Sequence, residues 1–273
     1  MLVTTPRSKE ELNNILEEYD AFIFGVKDYS VNLINTFTLE EIKEFNRIIK
    51  DNNKQIFISL NKNMTNDDIE NIQPILKELE NIKIDGLLFY DIGIVNLHQK
   101  LNLNYDLVWN QEHLVTNYNT INYWYKKGVK YAFLSSEITA KEIKDIIKNT
   151  NSKLMITLFG YIPMFTSKRH LVDNYLETFN LKGNPKYIEN SDNIYPIIDD
   201  KLGTTVYSNY ILDGSKEYED LKDNYIFINN FNIDEKTFSK VSKYIKEKKN
   251  LNDLFNNLST GFLYKPTIYK VKK

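Results

Sequence analysis

Gln55-Ile-Phe-Ile-Ser-Leu60, a helical pattern over Asp67–Asn81, then Gly86-Leu-Leu-Phe-Tyr90: this stretch decides the fold. Both apolar runs are strand-length and almost uninterrupted. Strands of that kind are covered on both faces, as parallel strands in α/β proteins are. Outward from this unit the alternation repeats. Leu2–Thr5, Ala21–Val26, Leu107–Trp109, Lys130–Leu134, Lys153–Phe159 and Tyr225–Ile228 read as strands, and Lys9–Tyr19, Leu39–Asp51, Thr120–Lys127 and Ala140–Lys148 as helices. Ser8 with Glu11, Thr38 with Glu41 and Thr139 with Glu142 have the spacing of capping boxes, in which hydroxyl and carboxylate satisfy each other's free amides. Gly128 reads as a helix C-cap.

Eight strands with helices between them predict an α/β fold of the (β/α)8 TIM type. The first strand is weak, so a distorted or incomplete barrel stays within the reading. The interval from Phe159 to Tyr225 is too long for one βα unit. Tyr195–Asp200, Lys201-Leu-Gly203 and Thr204–Tyr207 within it have the pattern of a β-hairpin. We read an insertion after strand seven, at about 176–222, on a single domain spanning 1–273. A charged helix follows Asn232, and the C-terminal part, about 233–273, ends in a basic tail, Lys265–Lys273, expected as an exposed or edge-packed strand.

The composition of the 273 residues narrows the chemistry. Lys and Arg number 35 against 37 Asp and Glu, a net charge of −2, so no global field draws in nucleic acid and any RNA contact needs a local basic patch. With no cysteine, this chain has no disulfide, no thiol nucleophile and no iron–sulfur cluster held by its own thiolates. That fits a reducing compartment. Met1–Arg7 has no apolar signal-peptide core and the apolar runs are too short to span a bilayer, so the expected location is cytoplasmic.

In a barrel of this type function gathers where the strands end. Asn61, Asp91 with Gly93, Asn110-Gln111-Glu112, Glu137 and Gly160 stand at five such ends. Asp91, Glu112 and Glu137 are candidates for a carboxylate cluster suited to acid–base work or a divalent metal, and equally for ion pairs with Lys and Arg. The histidines, His98, His113 and His170, fit no metal motif, and no residue is assigned as a metal ligand. His98 is expected to be solvated; His113 lies just past a strand end. Ser167-Lys168-Arg169-His170 is a basic cluster suited to a carboxylate or phosphate, and equally to a solvated helix start. Tyr161, Phe165 and Tyr175 flank it as stacking or core residues. There is no G-x-S-x-G elbow.

The run Gly160-Tyr-Ile-Pro-Met-Phe-Thr-Ser-Lys-Arg-His-Leu-Val-Asp-Asn-Tyr175 resembles the signature of the collagenase-like U32 peptidases, approximately G-x-x-C-M-x-x-S-[GK]-R-x-L-x-x-N-Y. Gly160, Met164, Ser167, Arg169, Leu171, Asn174 and Tyr175 match. Asn61, Asp91-Ile-Gly93, Trp109–Glu112 with Thr116-Asn117, Asn122-Tyr-Trp124, Gly128 and Glu137 follow the family's order and spacing. So do Tyr195-Pro-Ile, Gly203-Thr204 and Gly261–Val271, so the resemblance covers nearly the whole chain.

The resemblance implies collagenase-like peptidase activity by name, and oxygen-independent hydroxylation by what other members do. The short Gram-positive type is associated with 5-hydroxyuridine in tRNA, alongside a longer paralogue. Three expectations follow: a contribution to tRNA wobble-uridine hydroxylation, a peptidase, or a non-catalytic partner of a cysteine-containing paralogue. The site expected from it has Asn61, Asn117, Ser167, Lys168, Arg169, Asn174 and Tyr175 as binding residues. Lys168 and Arg169 would hold an anion, with Asn174 and Tyr175 supporting their loop. Asp91, Glu112, Glu137 and His170 are the catalytic candidates. A small carboxylate-bearing co-substrate or a divalent metal stays open. Partners would be tRNA and the paralogue, with no membrane. The departures are Pro163 and His170 where relatives often carry cysteine, Asn110-Gln111 for Ser-Thr, and Asn229-Asn230 for the usual Asp-Gly.

Overall fold

A computed structural model describes residues 1–265. Its strands are β1 (Leu2–Thr4), β2 (Ala21–Val26), β3 (Gln55–Leu60), β4 (Gly86–Phe89), β5 (Asp106–Trp109), β6 (Tyr131–Phe133), β7 (Lys153–Ser167), β8 (Tyr187–Asn190), β9 (Asn193–Asp200), β10 (Gly203–Asp213) and β11 (Tyr225–Ile228), with two-residue bridges at Thr36–Phe37 and Leu258–Ser259. β1 to β7 pair in order and in parallel, and β11 pairs in parallel with both β7 and β1. The sheet therefore closes into an eight-stranded parallel barrel with helices between its strands. The barrel is complete, although β1 has only three residues.

The helices are α1 (Lys9–Ile15), α2 (Leu39–Asp51), α3 (Asn66–Asn71), α4 (Gln73–Ile82), α5 (Gly93–Lys100), α6 (Tyr118–Lys126), α7 (Ala140–Asn149), α8 (Leu171–Thr178), α9 (Tyr218–Leu221) and α10 (Glu235–Lys246). Complete capping boxes start α2 at Thr38 and α7 at Thr139. At α1 Ser8 caps Glu11, but the Glu11 carboxylate turns to the Arg7 amide at 2.6 Å. A further box, Thr65 with Asp68, starts α3. The helix expected over Asp67–Asn81 is two helices. Ile72 ends one and starts the other, and Pro74, which has no amide N–H, sits in the first turn of α4.

The larger departure lies at β7. Sequence reading ends this strand at Phe159, whereas it continues through Ser167. Its first half pairs in parallel with β11 (Met155 opposite Tyr225) and its second half pairs antiparallel with β10 (Ser167 opposite Thr204, Gly160 opposite Leu212). Gly160 makes the change of direction, with φ of +114°. A β carbon there would lie 2.4 Å from the carbonyl oxygen of Asn229. β9 and β10 form the hairpin around Lys201-Leu202, and β8 adds an outer strand. The charged helix after Asn232 is α10. Residues 266–273, with most of the basic tail and the Thr267–Val271 resemblance, lie outside the described residues.

Two predictions follow. Thr139→Ala removes a cap and lowers unfolding free energy by about 1 kcal/mol in chemical denaturation. Gly160→Ala, which meets both a positive φ and the Asn229 backbone, lowers it by about 3 kcal/mol or more.

Candidate functional site

The inner face of the barrel changes character along its strands. Val3, Phe57, Leu88, Val108, Met155 and Phe227 belong to one buried apolar cluster that Phe133 joins. Side chains alternate in direction along a strand, so the next inward position is two residues on. Those steps read Phe57 to Ser59 to Asn61, Val108 to Asn110, Phe133 to Ser135, Met155 to Thr157 and Phe227 to Asn229. Every new member is polar. Together with Asn32, Glu112, His113 and Tyr161 they line a cavity of about 100 Å³ at the C-terminal mouth. Ile23, Leu88, Phe133 and Phe227 also line it, and the two Phe rings meet edge-on with centroids 5.3 Å apart.

Side-chain amides build the mouth by imitating peptide groups. Asn61 donates to the Val31 carbonyl at 2.8 Å and accepts from the Val31 amide at 2.9 Å. Asn229 donates to the Tyr161 carbonyl at 2.8 Å and accepts from the Phe231 amide at 3.0 Å. Asn230 donates to the Thr5 carbonyl at 2.6 Å and accepts from its hydroxyl at 2.8 Å. Gln111 donates to the Tyr90 carbonyl at 2.6 Å and accepts from the Trp109 indole at 2.9 Å. Each amide ties a strand end to a neighbouring loop or to its own strand. Asn61, expected to bind substrate, spends both polar atoms in this way.

Glu112 is the carboxylate of the mouth. It is half-buried, and burial pushes its carboxyl above the usual range, opposed by the Asn32 amide and by His113. Asn32 donates to Glu112 Oε1 at 3.1 Å. Glu112 has φ of +42°, in the left-handed region that costs a residue bearing a β carbon, and such strain gathers at functional sites. A second chamber of about 120 Å³ adjoins the mouth through Asn32, Asn61, Glu112 and His113, and Lys62, Tyr90, Thr166, Ser167 and Lys168 are among the rest of its lining. Lys62 is held by Asp68 at 2.8 Å, whereas Lys168 has no ion pair among the described residues.

The expected carboxylate cluster does not assemble. Asp91 accepts from the Gly93 amide at 2.8 Å at the start of α5, and Glu137 stands on the exposed rim, 3.2 Å from His113. Asn117 caps α6 through Thr120. His98 is not a solvated ring, because its Nε2 lies 2.8 Å from the Tyr105 carbonyl. The Arg169 side chain is exposed and lines neither chamber; its carbonyl accepts from Thr204 and its amide donates to Ser167. Asn174 is exposed, its backbone amide donating to the His170 carbonyl at 3.0 Å, and the exposed Tyr175 ring packs on Phe179 with centroids 4.8 Å apart.

His170, Asp173 and Asp199 are the metal-ligand-type trio that the described residues bring together. Asp199 is already engaged there: one oxygen accepts from the amides of Val172 and Asp173, and the other faces His170 at 3.3 Å. Sequence reading missed Asn32, Ser59, Ser135, Thr157 and Asn229 as mouth residues. A step of two along each strand would have found all but Asn32. Ser59 and Tyr207, both buried, have hydroxyls with no partner among the described residues; Ser59 lines the mouth.

The model of peptidase family U32 matches residues 8–188. The chain belongs to this family. Among similar proteins, tRNA hydroxylation protein P2 of Bacillus subtilis (strain 168) is 24% identical, and the match covers 98% of each chain. tRNA hydroxylation protein P1 of the same strain is 21% identical over 58% of this chain and 37% of its own length. An uncharacterized protease of Methanocaldococcus jannaschii is 28% identical over 52% of this chain and 35% of its own. Among solved structures, the U32 peptidase Mk0906 superposes with a TM-score of 0.54 at 12% identity, covering 84% of this chain and 91% of that one. That likeness concerns the fold.

An iron–sulfur cluster held by this chain's own thiolates does not fit here. Pro163 lines the mouth, His170 is bonded to Asp199, and the chain has no cysteine. Nor is a peptide-cleaving triad assembled, since no hydroxyl among the described residues is hydrogen-bonded to His98, His113 or His170.

The raised Glu112 carboxyl has a measurable consequence. Between its unfolded and folded pKa values the native state binds more protons than the unfolded one, so this group's contribution to stability falls as pH rises through that window. Glu112→Gln therefore unfolds at a higher denaturant concentration than the parent at pH 7. That gain disappears as pH falls below the ordinary glutamate value of 4.5.

Proposed function

We propose that this chain serves in hydroxylation of the tRNA wobble uridine, working at the polar mouth of the barrel. What carries the reading is the end-to-end match with a tRNA hydroxylation protein, covering 98% of both chains. The mouth supports it. Apolar rings beside an unpaired buried hydroxyl and the free face of Asn110 suit a flat base with polar edges. Lys168, without an ion pair among the described residues in the adjoining chamber, suits a phosphate or carboxylate.

Replacing the C5–H of a uracil by C5–OH brings in one oxygen atom and takes two electrons from the ring. The oxygen atom and a two-electron acceptor must therefore be supplied by a bound oxidising co-substrate or by a partner chain; a carboxylate on such a co-substrate would serve as its binding handle. Glu112, whose carboxyl burial keeps protonated to a higher pH than a solvated one, is the group suited to give or take the proton. A longer paralogue of the P1 type is the partner we infer, with tRNA as the substrate. No helix among the described residues is long and apolar enough to cross a membrane.

The test is nucleoside mass spectrometry of bulk tRNA. Deleting the gene, in a strain that keeps the longer relative, is expected to remove 5-hydroxyuridine and its derivatives. The parent gene restores them, Glu112→Gln does not, and Lys168→Ala lowers them about tenfold, as loss of one charge-assisted contact would. Unchanged 5-hydroxyuridine after deletion overturns the reading.

A further inference from the structure

Asn32 joins more parts of the mouth than the residues around it. Its amide nitrogen donates to Glu112 Oε1 at 3.1 Å and to Thr166 Oγ1 at 3.2 Å, and its Oδ1 accepts from the Thr205 hydroxyl at 2.6 Å. Thr166 is on the outer half of β7, and Thr205 lies directly opposite it on β10. One side chain on the loop after β2 thus touches the mouth carboxylate and two strands of the insertion. Its backbone has φ of +59°, and that of Glu112 +42°, so both ends of the contact sit where surrounding structure must hold them. Val31, the residue before Asn32, is gripped on both its amide and its carbonyl by Asn61. With its backbone fixed, the Asn32 amide is aimed by its three side-chain partners.

We propose that Asn32 is a positioning residue that transmits the seating of the insertion sheet to Glu112. Whatever displaces the outer half of β7 against the barrel, where Lys168 follows Thr166 by two residues, then also changes the setting of the mouth carboxylate. The inference deepens the functional reading above and rests on it only for its effect on activity; the coupling itself concerns the chain alone. Other charged or titratable groups about Glu112 are His113, Lys62, Lys168, Tyr90 and Tyr207.

The coupling is read by carbon-13 NMR titration of the glutamate carboxyls, with the Glu112 signal assigned by its loss in Glu112→Gln, and with thermal melts on every variant. Asn32→Ala removes the donor that favours the carboxylate, so the Glu112 midpoint is expected to rise by about one pH unit. Thr205→Val touches neither Glu112 nor its backbone, and is expected to move the midpoint in the same direction. Thr205→Ser, which keeps the hydroxyl, holds it at the parent value. The proposal is overturned if Thr205→Val leaves the midpoint unmoved, or if Thr205→Ser shifts it equally. Should Asn32→Ala fail to fold, the valine and serine pair still decides. In cells, Thr205→Val lowers tRNA 5-hydroxyuridine and Thr205→Ser does not. If the midpoints move as expected while the parent gene supports no 5-hydroxyuridine, the functional reading falls and the coupling stands.

Discussion

No β carbon fits at Gly160. The carbonyl oxygen of Asn229 occupies the space one would need, and the backbone there is left-handed. Asn229 holds the kink from both sides, its amide N–H reaching the Phe159 carbonyl and its side chain the Tyr161 carbonyl. From this point β7 stops being a barrel strand and becomes the spine of the insertion. A second chamber is thereby added without breaking the barrel, because β11 still pairs with the first half of β7 and closes the sheet. The kink also brings Tyr161 and Pro163 to the mouth and carries Thr166, Ser167 and Lys168 to the chamber beside it.

The mouth is mainly a construction of neutral amides. Barrel loops need fixing, since their backbone groups have left the sheet ladder, and a side-chain amide offers one donor and one acceptor at peptide-like spacing. Each bond contributes about 1 kcal/mol net, and leaving its buried partner unsatisfied costs more. The amides of Asn61, Gln111, Asn229 and Asn230 are thus occupied by frame-holding, which leaves Glu112, His113, Asn110 and the Ser59 hydroxyl facing the space they enclose. Polar residues at strand ends are not equivalent: Asn61 and Gln111 hold the frame, and Glu112 faces the space it encloses.

Much of the fold was legible because burial on both faces writes continuous apolar runs. The bounds of β2, β3 and β11 and the whole of α2 agree with the sequence reading. The break at Ile72 was visible in principle through Pro74. The outer half of β7 was not, because it is largely exposed beyond Ile162 and pairs with a strand some forty residues later, so its pattern carries no barrel signature. The site divides in the same way. Residues on strands follow from a two-residue step, whereas Asn32 sits on a loop and meets Glu112, Thr166 and Thr205 at separations of 80, 134 and 173 residues. The second half of the signature motif stands apart from the mouth lining, since Asn174 and Tyr175 are exposed on a short helix, α8.

Neutral clamps have a further consequence. Ion pairs weaken as salt rises and dissolve when either partner titrates; an amide bonded to a peptide group does neither. The frame formed by Asn61, Gln111, Asn229 and Asn230 therefore keeps its dimensions as ionic strength and acidity change. Charge in the mouth can change while its walls stay in place, so the response of this site to its electrolyte surroundings is concentrated in the few ionisable groups that line it.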